Sequence, residues 1–403
     1  MVETLKPATD AQLRDVVRWA AAEEVPLEVR GGGSRAGFGR PVQAGHVLVT
    51  SELRGILSYE PEELVLTAAA ATPMAEIEQA LQSRSQMLAF EPVDSSAVFG
   101  APPGSGTIAG ALGVALSGPR RIKAGGARDH LLGFQAVSGR GEIYKGGGKV
   151  VKNVTGYDLP KIICGAFGTL SVLTEVTVKV LPAPPKTRTV LLFGLGDAAA
   201  AQVMADALNS PCEVSGAAHL PAAIAGRSGV DLVRDAGESV TALRVEGTPG
   251  SVAARCESLR RLLAGRGRDE ELHSMRSLRL WREIRDVAAL LPDPQACLWR
   301  LSMPPAAAAA AVAGLGGARY FDWGGGLVWL AMPATGDGGT ETIRHAVGKA
   351  GGHATLVRGS EAMRAAVPVF EPQPSALAAV TRRVKEGFDP RRILNPGRMY
   401  AGV

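Results

Sequence analysis

Aromatic residues are scarce in this chain, cysteines few, and long runs of one charge or of apolar side chains absent. Phe, Trp and Tyr make up 5% of 403 residues, and the basic residues neither cluster in a run nor interleave with aromatics. Despite a net charge of +5, that pattern argues against nucleic-acid binding and leaves an anionic ligand or partner. The four cysteines, Cys164, Cys212, Cys256 and Cys297, are scattered and include no C-x-x-C pair. They supply no local zinc or iron–sulfur motif, and buried thiols in a reducing cytoplasm are the expectation. The N-terminus lacks an apolar signal core, and no stretch reaches the ~18 apolar residues of a membrane span. The alanine run 306–311, flanked by Pro304–Pro305 and Gly314, reads as a short helix. A cytoplasmic protein is expected, one that meets a membrane only through partners.

What is present is ordinary globular material: 46% hydrophobic and 21% charged residues, in a length that suits two or three domains. Residues 11–22 carry Leu13, Val16, Val17 and Ala20 at helical spacing. Short strands are predicted at 27–29, 47–50 and 64–68, and Thr72-Pro73 is predicted to open a helix. A helical stretch near 108–116 and strands at 134–137 and 142–144 follow. From Ser171 to Val180 the alternation is clean, with Val176, Val178 and Val180 on one face. Pro182, Pro184 and Pro185 then break the chain, which places a domain boundary there. Beyond it strands alternate with helices and no glycine-rich ligand loop occurs, as in a ferredoxin-like α+β cap. The turn-rich segment Phe388–Gly397 is predicted to fold back on the first domain.

The first domain holds four glycine-rich stretches. In Arg30-Gly31-Gly32-Gly33-Ser34-Arg35 the glycines remove side chains that would keep a diphosphate from main-chain N–H donors. Ser34 adds a hydroxyl, and Arg30 and Arg35 offer positive charge. A tight turn after a strand explains the same residues. Gly31-x-Gly33-x-x-Ala36 matches the dinucleotide fingerprint in form, but Gly37, Gly39 and Pro41 oppose the helix that fingerprint requires. The other stretches are Pro102–Ala111, Ser117–Arg121 leading to Arg128-Asp129, and Val151–Leu159 closed by Gly165–Leu170.

Together these stretches resemble the FAD domain of the vanillyl-alcohol oxidase, or PCMH-type, superfamily. The whole chain resembles the E-type FAD-binding subunits of bacterial glycolate oxidases, most specifically in Arg30–Ser34, Ser117–Gly133, Val150–Gly168 and Phe388–Gly397. The resemblance implies an α+β fold: a PCMH-type domain over 1–183 with subdomains of about 1–50 and 51–183. A cap at 184–370 and a returning tail at 371–403 complete it. It implies that Gly31, Gly32, Gly33 and Ser34 bind the FAD pyrophosphate, flanked by Arg30 and Arg35. Gly106, Thr107 and Ile108 should lie along the pyrophosphate and flavin, and Ser117 and Gly118 near the flavin or ribityl chain. Val172, after Gly168 and Thr169, should touch the adenine end or flavin, and Tyr157 and Asp158 belong to a segment that approaches the flavin edge.

Two departures matter. Some members of the superfamily attach FAD to a histidine in the first loop; here Ser34 ends the glycine run, which predicts a non-covalent flavin. Related hydroxy-acid dehydrogenases cluster histidines in the cap, whereas His46, His130, His219, His273, His345 and His353 form no metal-ligand spacing. No metal site is therefore expected and no catalytic base is named. Arg358 and Arg364 could bind a carboxylate, but a solvated face is the expectation for both. The resemblance implies an FAD-dependent oxidoreductase subunit that takes electrons from a small 2-hydroxy acid such as glycolate. An iron–sulfur subunit and a larger flavoprotein subunit would be its partners. A self-contained FAD oxidase of another hydroxy acid or alcohol, and a cofactor-free structural subunit, are the alternatives.

Overall fold

The structure is a computed structural model that describes residues 3–149 and 156–403. Its contacts divide the chain into two compact units. The first comprises Met1–Leu116, Gly125–Ala183 and Pro368–Val403; the second comprises Ser117–Ala124 and Pro184–Val367.

The first unit begins with a parallel sheet, in the order β1 (Glu3–Leu5), β3 (His46–Val49), β2 (Leu27–Arg30). Helix Asp10–Ala22 covers it with Leu13, Val17 and Ala20, and Thr9 caps that helix by accepting from the Gln12 amide. The open edge of β2 is closed by the C-terminal tail. The Leu27 amide donates to the Ile393 carbonyl at 2.7 Å and the Asn395 amide to the Leu27 carbonyl at 3.0 Å. Leu394 thus pairs in parallel with Leu27, and the tail covers that edge.

β4 (Ile56–Glu60) and β5 (Val65–Ala69) are followed by the two-residue β6 (Gln86–Met87). Next come β7 (Leu131–Ser138), β8 (Ile143–Gly147), β9 (Ser171–Lys179) and the two-residue β10 (Leu181–Pro182), which pairs with β6. The long strands form an antiparallel sheet ordered β4-β5-β9-β7-β8. The valines at 176, 178 and 180 pack in one core with Leu66, Ile77 and Ile108, as their alternation predicts. Thr72 does not cap the next helix, which is Met74–Gln82 with Pro73 before it. The helix starts one residue later than expected, so the Thr72 hydroxyl is free to accept from the Gly55 amide and donate to the Ala69 carbonyl.

The second unit repeats one motif. The first copy is β11 (Lys186–Phe193), β12 (Gly216–Leu220), β13 (Val240–Gly247) and β14 (Asp269–His273). The second is β15 (Cys297–Ser302), β16 (Ala318–Asp322), β17 (Leu327–Met332) and β18 (His353–Arg358). In each copy a helix follows the first and third strands: Asp197–Leu208 and Pro249–Leu262, then Pro305–Val312 and Thr340–Lys349. The eight-stranded antiparallel sheet is ordered β14-β11-β13-β12-β16-β17-β15-β18. Each half therefore has the ferredoxin-like βαββαβ order 4-1-3-2, and the halves join edge to edge through His219 and Phe321. The expected single ferredoxin-like cap is two such motifs sharing one sheet.

Candidate functional site

β2 ends at Arg30 and delivers the chain into residues 31–39, which are all turn and bend. The helix of a dinucleotide fingerprint is absent, as Gly37, Gly39 and Pro41 require. This loop is one wall of a cleft in the first unit whose empty space, including its solvent-open part, is about 900 Å³. The opposite wall is helix Ile108–Val114, which presents Ala109, Gly110 and Gly113. Thr107 caps that helix by accepting from the Gly110 amide at 3.2 Å. Phe167, Gly168 and residues 171–173 close the side, and Asn395 and Arg398 from the tail complete it.

The glycine run is needed sterically. A Cβ on Gly31 would lie 2.9 Å from Thr107 Oγ1, and one on Gly32 would lie 3.0 Å from the Ser105 carbonyl oxygen. Gly33 has φ +76°, a backbone region disfavoured for residues with a Cβ. Loop and helix therefore approach so closely that side chains on the loop would fill the gap. Three arginines line the cleft and, among the described residues, no Asp or Glu does. Arg30 pairs with Glu28 at 2.6 Å, and Arg398 donates to the Arg35 carbonyl at 3.0 Å. Arg35 is buried behind the loop, donating to Ser95 Oγ at 2.9 Å. Burial presses its pKa down to about 10, with Asp94 opposing, so the guanidinium stays charged at neutral pH. Bare main chain, a hydroxyl and three arginines along one cleft fit a dinucleotide cofactor held by its diphosphate.

Of the residues expected to bind FAD, Arg30, Gly31, Gly32, Gly33, Ser34, Arg35, Thr107, Gly168 and Val172 all line this cleft. Gly106 lies beside it, with Arg35 guanidinium nitrogens 3.0 Å from where its Cβ would be. The Ile108 side chain is fully buried in the core. Thr169 turns its hydroxyl to the Ala166 carbonyl and its own carbonyl to Lys385. Ser117 and Gly118 belong to the second unit, where the Gly118 carbonyl accepts from Trp323 Nε1 at 3.0 Å. Tyr157 is 88% exposed and Asp158 exposed. Residues 150–155 of the fourth glycine-rich stretch lie outside the described residues.

Sequence reasoning missed Asn395 and Arg398 as site residues. Asn395 is 2% exposed, accepts from the Val29 amide at 2.8 Å and donates to the Phe167 carbonyl at 2.8 Å. It ties two walls of the cleft together from the far end of the chain. Its only signal was its place in the turn-rich tail. Arg358 and Arg364, expected on a solvated face, instead hold main chain: Arg358 donates to the carbonyls of Ala296 and Asp293, and the buried Arg364 to that of Gly359. Among the described residues no cluster of His, Cys, Asp and Glu could hold a metal, and no helix is long and apolar enough to cross a membrane.

Comparison with known proteins agrees with this geometry. A family model described as an FAD binding domain matches residues 4–147. The chain is 34% identical to glycolate oxidase subunit GlcE of Escherichia coli K12 over 391 residues, 96% of this chain and 97% of that one. It is 30% identical to glycolate oxidase subunit GlcD of Bacillus subtilis over 203 residues, 50% of this chain and 42% of that one. Among solved structures, 4-ethylphenol oxidase from Gulosibacter chungangensis superposes with a TM-score of 0.72 at 14% identity, covering 99% of this chain and 89% of that one. Substrate-bound p-cresol methylhydroxylase gives 0.71 at 15%, covering 98% and 88%. The fold is thus PCMH-type and the cofactor FAD, and the chain belongs to the family of GlcE subunits of glycolate oxidase.

Proposed function

We propose that this chain is the FAD-binding subunit of a glycolate or related 2-hydroxy-acid oxidase complex and passes electrons to an iron–sulfur partner. The observation that carries the reading is the diphosphate cradle, a glycine-rich loop set against a helix face of glycine and alanine, with three arginines and, among the described residues, no carboxylate on its wall. Gly31–Ser34 and Thr107 would hold the diphosphate, and Arg30, Arg35 and Arg398 would offset its charge. Bound FAD supplies acceptance of two electrons and their release one at a time. The close approach of loop and helix keeps bulk water from the diphosphate, which strengthens each charge-assisted hydrogen bond.

The flavin is held non-covalently. The reading is supported by the lining, which among the described residues contains no histidine or cysteine that could form a link. Acid precipitation should leave a colourless pellet and a yellow supernatant; colour retained in the pellet would overturn it. A larger flavoprotein subunit carries the main oxidation site, which fits a cleft that offers no general base. Co-purification from cells at native abundance, with flavin and iron counted in the product, tests the assembly. A complex with iron and more than one flavin is expected. An iron-free monomer that reduces dyes rapidly with glycolate would refute the division of labour.

A further inference from the structure

Two cations of the second unit have no counter-ion among the described residues. Arg121 and Arg300 both lie over the indole of Trp323, their guanidinium carbons 4.7 and 5.0 Å from the ring centroid. Neither makes a hydrogen bond or ion pair with a side chain among the described residues. Their neighbours behave otherwise. Arg120, one residue away, meets Glu246 through two hydrogen bonds of 3.0 and 2.8 Å. Arg244 lies 3.6 Å from the same carboxylate, and Arg319 meets Asp197 at 3.0 Å. Two like charges on one ring repel each other, and for the part-buried Arg300 the indole face alone returns only part of the cost of leaving water.

The ring is placed deliberately. Trp323 Nε1 donates to the Gly118 carbonyl, and the Trp323 amide donates to Asp322 Oδ1 at 2.7 Å. Trp323 has φ +53°, an uncommon backbone for a bulky residue, and Gly324 and Gly325 after it also have positive φ. Arg300 retains some solvent exposure although it is surrounded by protein, and Arg121 is exposed, so a dissolved anion can reach the pair. Burial, and then the charge of Arg121, press the Arg300 pKa down to about 10, which leaves it a cation at neutral pH.

We infer that Arg121, Arg300 and Trp323 form a binding site for a small carboxylate of the 2-hydroxy- or 2-oxo-acid class. A carboxylate accepts hydrogen bonds from both guanidinium groups and cancels their repulsion, while the indole packs against its short carbon chain. That the ligand is an anion follows from the two uncompensated cations; that it is a carboxylate of this class rests on the function proposed above.

The test is calorimetric titration of the full-length FAD-loaded chain with oxalate, with sulfate and chloride as controls. Oxalate should bind with a stoichiometry of one and sulfate more weakly. R121Q and R300Q should each weaken oxalate binding by about tenfold or more, the scale of one lost charge-assisted interaction, and R300K should recover part of it. Arg121 is exposed, so R121Q leaves the fold and the bound FAD intact. Absent oxalate binding, R121Q and R300Q affinities equal to the wild type, or equal affinity for sulfate would each overturn the inference. FAD-loaded protein that ignores oxalate sinks this site and leaves the function standing. Oxalate binding that the variants abolish, in a chain that never takes up FAD, does the reverse.

Discussion

Replacing Asn395 by alanine isolates what the tail contributes to the flavin cleft. Its side chain satisfies the Val29 amide and the Phe167 carbonyl at 2.8 Å each, on two different walls and almost without solvent exposure. Truncation leaves both main-chain groups without a partner, at about 1–3 kcal/mol apiece. Alanine also tolerates the left-handed φ of +41° at this position less well than asparagine does. A loss of about 2–6 kcal/mol is therefore expected, less if water enters the gap. For a unit of this size that corresponds to a fall of roughly 4–24 °C in Tm. Because Phe167, Gly168 and Val29 line the cleft, FAD retention after desalting should fall with it. Tm by differential scanning and flavin absorbance before and after desalting measure the two effects. N395A that keeps its FAD and melts within a degree of the wild type would refute the view that the tail braces the cleft.

Further perturbations probe the other supports. Gly31→Ala places a Cβ 2.9 Å from Thr107 Oγ1, displacing the helix cap; flavin affinity should drop by about tenfold or more with only about 1 kcal/mol of stability lost. Equal flavin content after dialysis would contradict this. Lys385 and Asp389 form a fully buried pair at 2.8 Å, and Lys385 also holds the carbonyls of Thr169 and Leu394. Lys385→Met should cost about 3–5 kcal/mol by stranding the carboxylate, and adding Asp389→Asn should recover part of that, measured by urea unfolding. Burial alone would raise the Glu246 carboxyl, but Arg244 and the Arg120 hydrogen bonds outweigh it and hold its pKa at about 2. A carboxyl depressed on folding stabilises above its unfolded pKa. That contribution is present above pH 4.5 and lost as pH falls towards 2. Glu246→Gln should be less stable at neutral pH and flatten the acid limb of the stability profile.

The individual pieces were legible because each follows from local chemistry. Val176, Val178 and Val180 can alternate into a core only as a strand, and a run such as Gly31–Gly33 leaves the main chain bare whatever surrounds it. The duplication in the second unit was not legible. Asp269–His273 is largely charged and Gly216–Leu220 reads Gly-Ala-Ala-His-Leu with no β-branched residue, so neither reads as a strand without the neighbours that pair with it. Ile108 shows the same limit inside the site: its place in the motif suggested the ligand, whereas the packing of Leu66 and Val178 turned it into the core.

The chain's order of residues determined which main-chain segments are bare of side chains and where the strands of the first unit run, since glycine and two-residue periodicity act over a few positions. Tertiary structure alone decided that Asn395 and Arg398 reach the walls built by residues 29–36 and 167–168, and that Arg121, Arg300 and Trp323 meet. Most of those contacts join residues about two hundred or more positions apart, and their geometry comes from sheet pairing and packing, which no short window of sequence contains.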